Sequence, residues 1–392
     1  MNLPPALIRI LDTLSQHGHQ SYVVGGAVRD FLMQRSVADF DIATSATPEQ
    51  MAQLFEKTID TGSKFGTMTV LMASESYELT TFRIDGTYLN HRKPNTVQFT
   101  TNIIKDLSRR DFTINAIAYT PLDGLLDPFG GQRHIADKVI QAVGDPHQRF
   151  TEDALRMLRA LRFATKLGFT IEANTYEALC ELAPLMANIS LERVREELVK
   201  LFLSTHLAQA LYLNHTHLLN YVHTGFYAHL QAHLATALPA MAQAPTRTVI
   251  RWAILLQELP PLAVKDMLRF FKFSNDDIKQ ITLLITHHHM AFTADPYCIK
   301  KHVLKLGHNG FADLLALKTA CHVNCEAITQ VYEHILATGE PIFMNQLVVN
   351  GDLLAEHGVA KGKTMGALLH QLHEAVLHEP GLNTTPQLLA RI

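Results

Sequence analysis

GGAVRDFLMQRSVADFDIAT, residues 25–44, decides how the first third of this chain is read. Two glycines follow the run SYVV (21–24), and a helical pattern carrying Arg29 and Asp30 leads to the alternating segment DFDIAT (39–44). Glycines after a strand let backbone N–H groups approach an anion, and a helix start favours negative charge there. In DFDIAT the carboxylates of Asp39 and Asp41 lie two residues apart, a spacing that places both on one face of a strand. Two such groups repel each other unless a cation lies between them. A hard divalent ion such as Mg²⁺ takes oxygen ligands of this kind together with phosphate oxygens. A bare DxD is more often a pair of solvated aspartates, and a lone GG an ordinary turn. Their order within twenty residues, anion cradle, then cationic arm, then carboxylates, is what carries the chemical reading.

Outward from this stretch, the first ~120 residues alternate helical and strand-like segments: a periodic helix from Leu7 to Leu14, then TMTVLM (67–72) and YELTTFR (77–83). Glu78 in the latter is the candidate third carboxylate. RRDFTINA (109–116) sets Arg109 and Arg110 before an alternating segment that turns Phe112 and Ile114 to one face. One of these arginines is expected to pair with Asp111 and the other to grip phosphate, for which a planar guanidinium is suited. From Thr151 onward strand signals nearly vanish, and EDALRMLRALR (152–162) spaces Asp153, Arg156, Arg159 and Arg162 every three residues along an expected single helix. A solvated basic face is the ordinary reading of such a stripe. The alternative has chemical logic: cytosine and adenine both offer an amino donor beside a ring-nitrogen acceptor, so one aspartate and one arginine select them against uracil and guanine. TPEQ (47–50) and SLER (190–193) read as helix-capping signals.

Composition bounds the rest. The 392 residues are 47% hydrophobic and 18% charged, which excludes a disordered or collagen-like chain. Four scattered cysteines give neither a disulfide framework nor a zinc ribbon, and no run is long enough to span a bilayer, so a cytoplasmic protein is expected. The net charge of −3 means that any nucleic acid must be held by local patches, with Lys200, Lys300, Lys301 and Lys305 the first basic candidates. Histidine is concentrated after residue 200, with 17 of the 22, but the spacings are irregular and no HExxH occurs.

Taken together, residues 25–44, RRDFTINA, DPFGG (127–131), AVGDPHQRFTEDALRMLRALRF (142–163) and the tail VVNGDLLAEHGVAKGKTMGALLHQLHEAVL (348–377) resemble the bacterial CCA-adding enzymes, or tRNA nucleotidyltransferases, of the same class as bacterial poly(A) polymerases. The tail resembles the Gram-positive type without an HD domain, and no His-Asp dipeptide occurs. The resemblance implies an α+β, polymerase-β-like nucleotidyltransferase head over 1–147, a helical neck that recognises the nucleotide base over 148–207, and a helical body and tail that bind tRNA over 208–392. It implies Mg²⁺ at Asp39 and Asp41, and nucleotide contacts from Gly26, Arg29, Arg110, Asp153, Arg156, Arg159 and Arg162. The expected partners are the tRNA acceptor arm, CTP and ATP, in a monomer or homodimer. RIDGTYLNHRKPNTVQF (83–99) resembles the flexible loop of complete CCA-adders, which favours addition of the whole triplet over CC, A or poly(A) addition.

Overall fold

A computed structural model describes all residues except Ala38, Thr87, 90–92 and Asn95, and leaves out the side chains over 87–95. The chain forms two compact units, Met1–Ala235 and Thr236–Ile392.

The first unit opens with helix α1 (Pro5–Gln16), strand β1 (Ser21–Val24), α2 (Gly26–Leu32), β2 (Asp41–Thr44) and α3 (Pro48–Leu54). Strands β3 (Thr58–Gly62), β4 (Thr67–Met72) and β5 (Glu75–Thr81) follow. Two small hairpins pair β6 (Arg83–Asp85) with β9 (Val97–Phe99) and β7 (Tyr88–Leu89) with β8 (Lys93–Pro94). After α4 (Ile103–Ser108), strands β10 (Ala118–Thr120) and β11 (Gly124–Leu126) complete a seven-stranded mixed sheet of order β11-β10-β1-β2-β5-β4-β3. Alternation sends Val23 and Ile42 into one core with Leu7 and Ile10 of α1, and Tyr22, Val24 and Ala43 into a second core on the other face. Thr47 caps α3 with Gln50 as the sequence suggests, whereas Ser190 makes no side-chain cap.

Helix takes over after α5 (Gly131–Ala136): α6 (Pro146–Glu152), α7 (Leu155–Leu167), α8 (Ala173–Glu181) and α9 (Leu191–Phe202), with only β12 (Val139–Ile140) and β13 (Thr170–Ile171) paired in parallel among them. Helix α7 is buried almost all round and ends on the left-handed Gly168. The second unit is helical, and among the described residues no helix is long and apolar enough to cross a membrane.

Three expectations of local structure are corrected. Only Asp41 of the DxD pair lies in a strand; Asp39 precedes it, so no pleat ties the two side chains to one face. RRDFTINA is not a strand either: Thr113–Asn115 form a single 3₁₀ turn, and Phe112 makes an isolated bridge to Ala142. EDALRMLRALR is not one helix, because the backbone extends at Asp153 (φ −141°, ψ 101°) between α6 and α7. Lys300 also falls from the set of RNA candidates. It is 1% exposed, and its ammonium is held by Glu340 at 2.5 Å and the Leu377 carbonyl at 3.1 Å.

Candidate active site

Sheet register builds the first half of the site. Val24 pairs with Asp41 across β1 and β2, and Asp41 pairs in parallel with Glu78 on β5. Gly25 therefore leaves β1 beside Asp41. Its backbone (φ 71°, ψ −127°) is open to glycine alone, and a Cβ there would stand 3.0 Å from Arg110 Nη1 and 3.9 Å from Asp41 Oδ2. Asp39, Asp41 and Glu78 line a common cleft of about 800 Å³. Although solvent reaches Asp41, the surrounding protein raises its proton affinity and Asp39 raises it further, while Arg110 opposes the shift. Glu78 is raised by desolvation and then by Asp41. Among the described residues no three His, Cys, Asp or Glu side chains converge as a metal-binding group.

Asp41 also lines a second cleft, of about 510 Å³, together with Gly25, Gly26, Arg29, Arg110, Asp153, Arg156, Arg159 and Arg162. Every nucleotide contact expected from the sequence thus meets in one cavity. Arg109, Lys166 and Arg193 add to its walls, so eight cationic side chains face three carboxylates in a chain whose net charge is −3. Lys166 gives up its proton more readily than usual, through desolvation and then the nearby Arg29 charge.

Each arginine is already held by the protein. Arg29 is buried, donates to Asn115 Oδ1 at 2.6 Å and pairs with Asp30 at 2.8 Å. Arg109 and Arg110 both pair with the buried Asp106, at 2.7 and 3.3 Å, and not with Asp111 as the sequence suggested. Asp111 is instead the partner of Arg159: it accepts at 2.9 Å from Nε and 2.5 Å from Nη2, and also takes the Phe112 amide at 2.8 Å and Asn115 Nδ2 at 3.1 Å. Burial alone would favour its neutral form, but Arg159, Asn115 and Arg156 prevail and hold its carboxyl far below the usual range. Arg156 donates to Glu152 at 2.7 Å and to the carbonyls of Arg149 and Arg109 at 3.1 and 2.8 Å, tying α7 to α6 and to the end of α4. Arg193 from α9 holds Asp153 with both nitrogens, at 2.7 and 3.2 Å. Glu197, one turn further on α9, pairs with Arg162 and lies 3.8 Å from Arg159. The Phe163 ring lies under three guanidinium groups, with carbons 4.0, 5.3 and 5.4 Å from its centroid for Arg162, Arg29 and Arg159.

Sequence reasoning missed Arg193, Glu197, Asn115, Phe163 and Lys166. The one signal available was the i, i+4 spacing of Arg193 and Glu197, which gives α9 a face complementary to α7.

The comparisons with known proteins agree along the chain. The family described as Poly A polymerase head domain matches residues 21–141, the RNA and SrmB-binding site of polymerase A matches 168–229, and tRNA nucleotidyltransferase domain 2 matches 245–392. A CCA-adding enzyme of Geobacillus kaustophilus is 44% identical over 278 residues, which cover 69% of this chain and 67% of the relative. One of Lactobacillus gasseri is 37% identical over 387 residues, covering 96% and 94%. The chain belongs to the CCA-adding enzymes. A crystal structure of the Bacillus stearothermophilus CCA-adding enzyme in complex with CTP superposes with a TM-score of 0.86 at 32% identity, over 99% of this chain and 97% of that one. Membership settles the class of reaction: the chain is a tRNA nucleotidyltransferase, and the whole-length relatives and the matched second domain separate it from the poly(A) polymerases that share its head. The family generally uses a divalent metal.

Proposed function

We propose that this CCA-adding enzyme builds its product where Asp41 joins the two clefts, the tRNA 3′-hydroxyl attacking the α-phosphorus of CTP or ATP and expelling pyrophosphate. The observation that carries this reading is the arginine-lined cavity of a net acidic chain, which opens onto the carboxylates of the sheet. A triphosphate adds negative charge beside a wall of eight cationic side chains, and at about 510 Å³ the space is of ordinary ligand size.

Asp39 and Asp41 fit a divalent cation, because both are hard oxygen donors and positive charge would offset the burial and the Asp39 repulsion that raise the proton affinity of Asp41. Mg²⁺ bound there would lower the pKa of the attacking hydroxyl and offset charge on the triphosphate. Glu78, beside Asp41 in register, adds negative charge that strengthens this preference. Gly25 and Gly26 let the phosphates approach the backbone, while Arg29 and Arg110 hold the leaving pyrophosphate. Asp153 accepts from the amino group of cytosine or adenine. Arg156, whose Nη groups are largely engaged, retains Nε–H and one Nη2–H to donate to the ring nitrogen. Arg159 and Arg162 close the pocket against Phe163. In this reading residues 1–147 carry the chemistry, 148–207 the base recognition and 208–392 the grip on tRNA, at work in the cytoplasm where tRNA is found.

Labelled tRNA ending at the discriminator base tests the proposal. CTP alone should yield products ending in CC, and CTP with ATP the full triplet. Asp39→Ala and Asp41→Ala should abolish addition while tRNA affinity stays within a few-fold. Long homopolymers from ATP alone, or near-normal turnover of either variant at saturating Mg²⁺, would overturn it.

A further inference from the structure

Asp153 sits in the extended break between α6 and α7, where its amide donates to the Arg149 carbonyl at 3.4 Å and its carbonyl accepts from the Arg156 amide at 2.9 Å, but its carboxylate has one local hold, the Leu155 amide 3.2 Å from Oδ1. What fixes its carboxylate comes from another helix: Arg193 Nη2 donates to Oδ2 at 2.7 Å and Nη1 to Oδ1 at 3.2 Å. A two-pronged contact of this kind fixes rotation as well as position, which a single charge does not. The same face of α9 carries Glu197 to Arg162 and Arg159 of α7.

We propose that Arg193 is a positioning residue for base selection, holding the Asp153 carboxylate where it meets an exocyclic amino group and not a ring N–H. The inference rests on the reading that Asp153 recognises the base. Uracil and guanine present a carbonyl where cytosine and adenine present an amino group, but they carry an N–H at the adjacent ring position. A carboxylate free to swing toward that ring position would accept from their N–H and admit them. Held by the Arg193 fork, Asp153 repels the carbonyl at the amino position and cannot reach across, while a lone pair on Oδ2 remains open to the amino group of C or A.

The test measures kcat/KM for all four nucleotides, on tRNA lacking CCA and on tRNA ending in CC, for Arg193→Lys, Arg193→Ala, Asp153→Ala and the Arg193→Ala/Asp153→Ala double variant, with thermal unfolding of each. Preference for CTP over UTP should fall about tenfold in Arg193→Ala and by less in Arg193→Lys, with KM for tRNA little changed. On the Asp153→Ala background Arg193→Ala should cause no further loss of preference. If Asp153→Ala changes preference while both Arg193 variants scale all four nucleotides by one common factor, Arg193 is structural only and the inference falls alone. If Asp153→Ala itself leaves preference unchanged, the base-reading role falls first. Should Arg193→Ala unfold, Arg193→Lys, which keeps the charge and loses the fork, decides.

Discussion

Asp111→Asn should cost the first unit about 2–3 kcal/mol of stability, more than any loss of surface charge would. Asp111 is 8% exposed, and its two oxygens accept four bonds, two of them from Arg159. Asparagine keeps the shape but turns an amide donor against a guanidinium donor and removes the counter-charge. Breaking a buried pair costs about 3–5 kcal/mol. Arg159 is one-third exposed and keeps Glu197 at 3.8 Å, so screening and the second partner lower that figure. Thermal unfolding should therefore show a drop of roughly 5–10 °C in the transition of this unit, at ~2–4 °C per kcal/mol. Acid titration gives a second reading. The folded carboxyl lies far below its unfolded pKa of ~3.9, so its contribution is present above that value and lost as pH falls below it. The asparagine variant should lose this part of the acid sensitivity. A change within ~0.5 kcal/mol at neutral pH would show that the Asp111–Arg159 pair does not hold the head to α7.

Asp41→Asn should raise the thermal midpoint at neutral pH while removing activity, because the raised folded pKa means that the ionised carboxylate is disfavoured by folding; Mg²⁺ should stabilise the parent protein and not this variant, as calorimetry would show. Lys300→Ala should destabilise the second unit by about 3–5 kcal/mol, since it leaves Glu340 beside a buried gap; a fully stable variant with weakened tRNA binding would return Lys300 to the RNA-contacting set. Acidification should weaken the second unit through His287. This buried ring donates from Nδ1 to Nδ1 of His302, whose Nε2 donates to the Ala291 carbonyl, and burial pushes its pKa down to about 4. With the folded pKa below the unfolded ~6.5, stability falls as pH drops from ~6.5 towards 4, by on the order of 2 kcal/mol. His287→Gln should flatten that slope in urea unfolding at a series of pH values.

How much of this was legible in the sequence follows from the reach of each signal. The alternation of SYVV and DIAT, the glycines after the first strand and the periodicity of residues 155–167 are local properties, because strand and helix periods and glycine's freedom at positive φ act within a few residues. They were enough to give the mixed head and the helical remainder, and the family resemblance supplied part of the cleft's lining, while Asn115, Phe163, Lys166 and Arg193 were missed. The flexible-loop resemblance over 83–99 has its root in the β6–β9 hairpin, while residues 87, 90–92 and 95 of that stretch lie outside the described residues. Which carboxylate faces which arginine was not legible. Asp111 is adjacent to Arg110 in the chain, yet it pairs with Arg159, 48 positions away, while Arg110 turns back to Asp106. The extended backbone at Asp153 likewise breaks a stretch whose residue spacing alone reads as continuous helix. Sequence by itself determined the fold class and the arginine-and-carboxylate chemistry of the site, because both follow from side-chain type and local period. Only the tertiary structure decided the pairings, because a charge chooses its partner by distance and burial, and these are set by how α7 packs against α9 and the head.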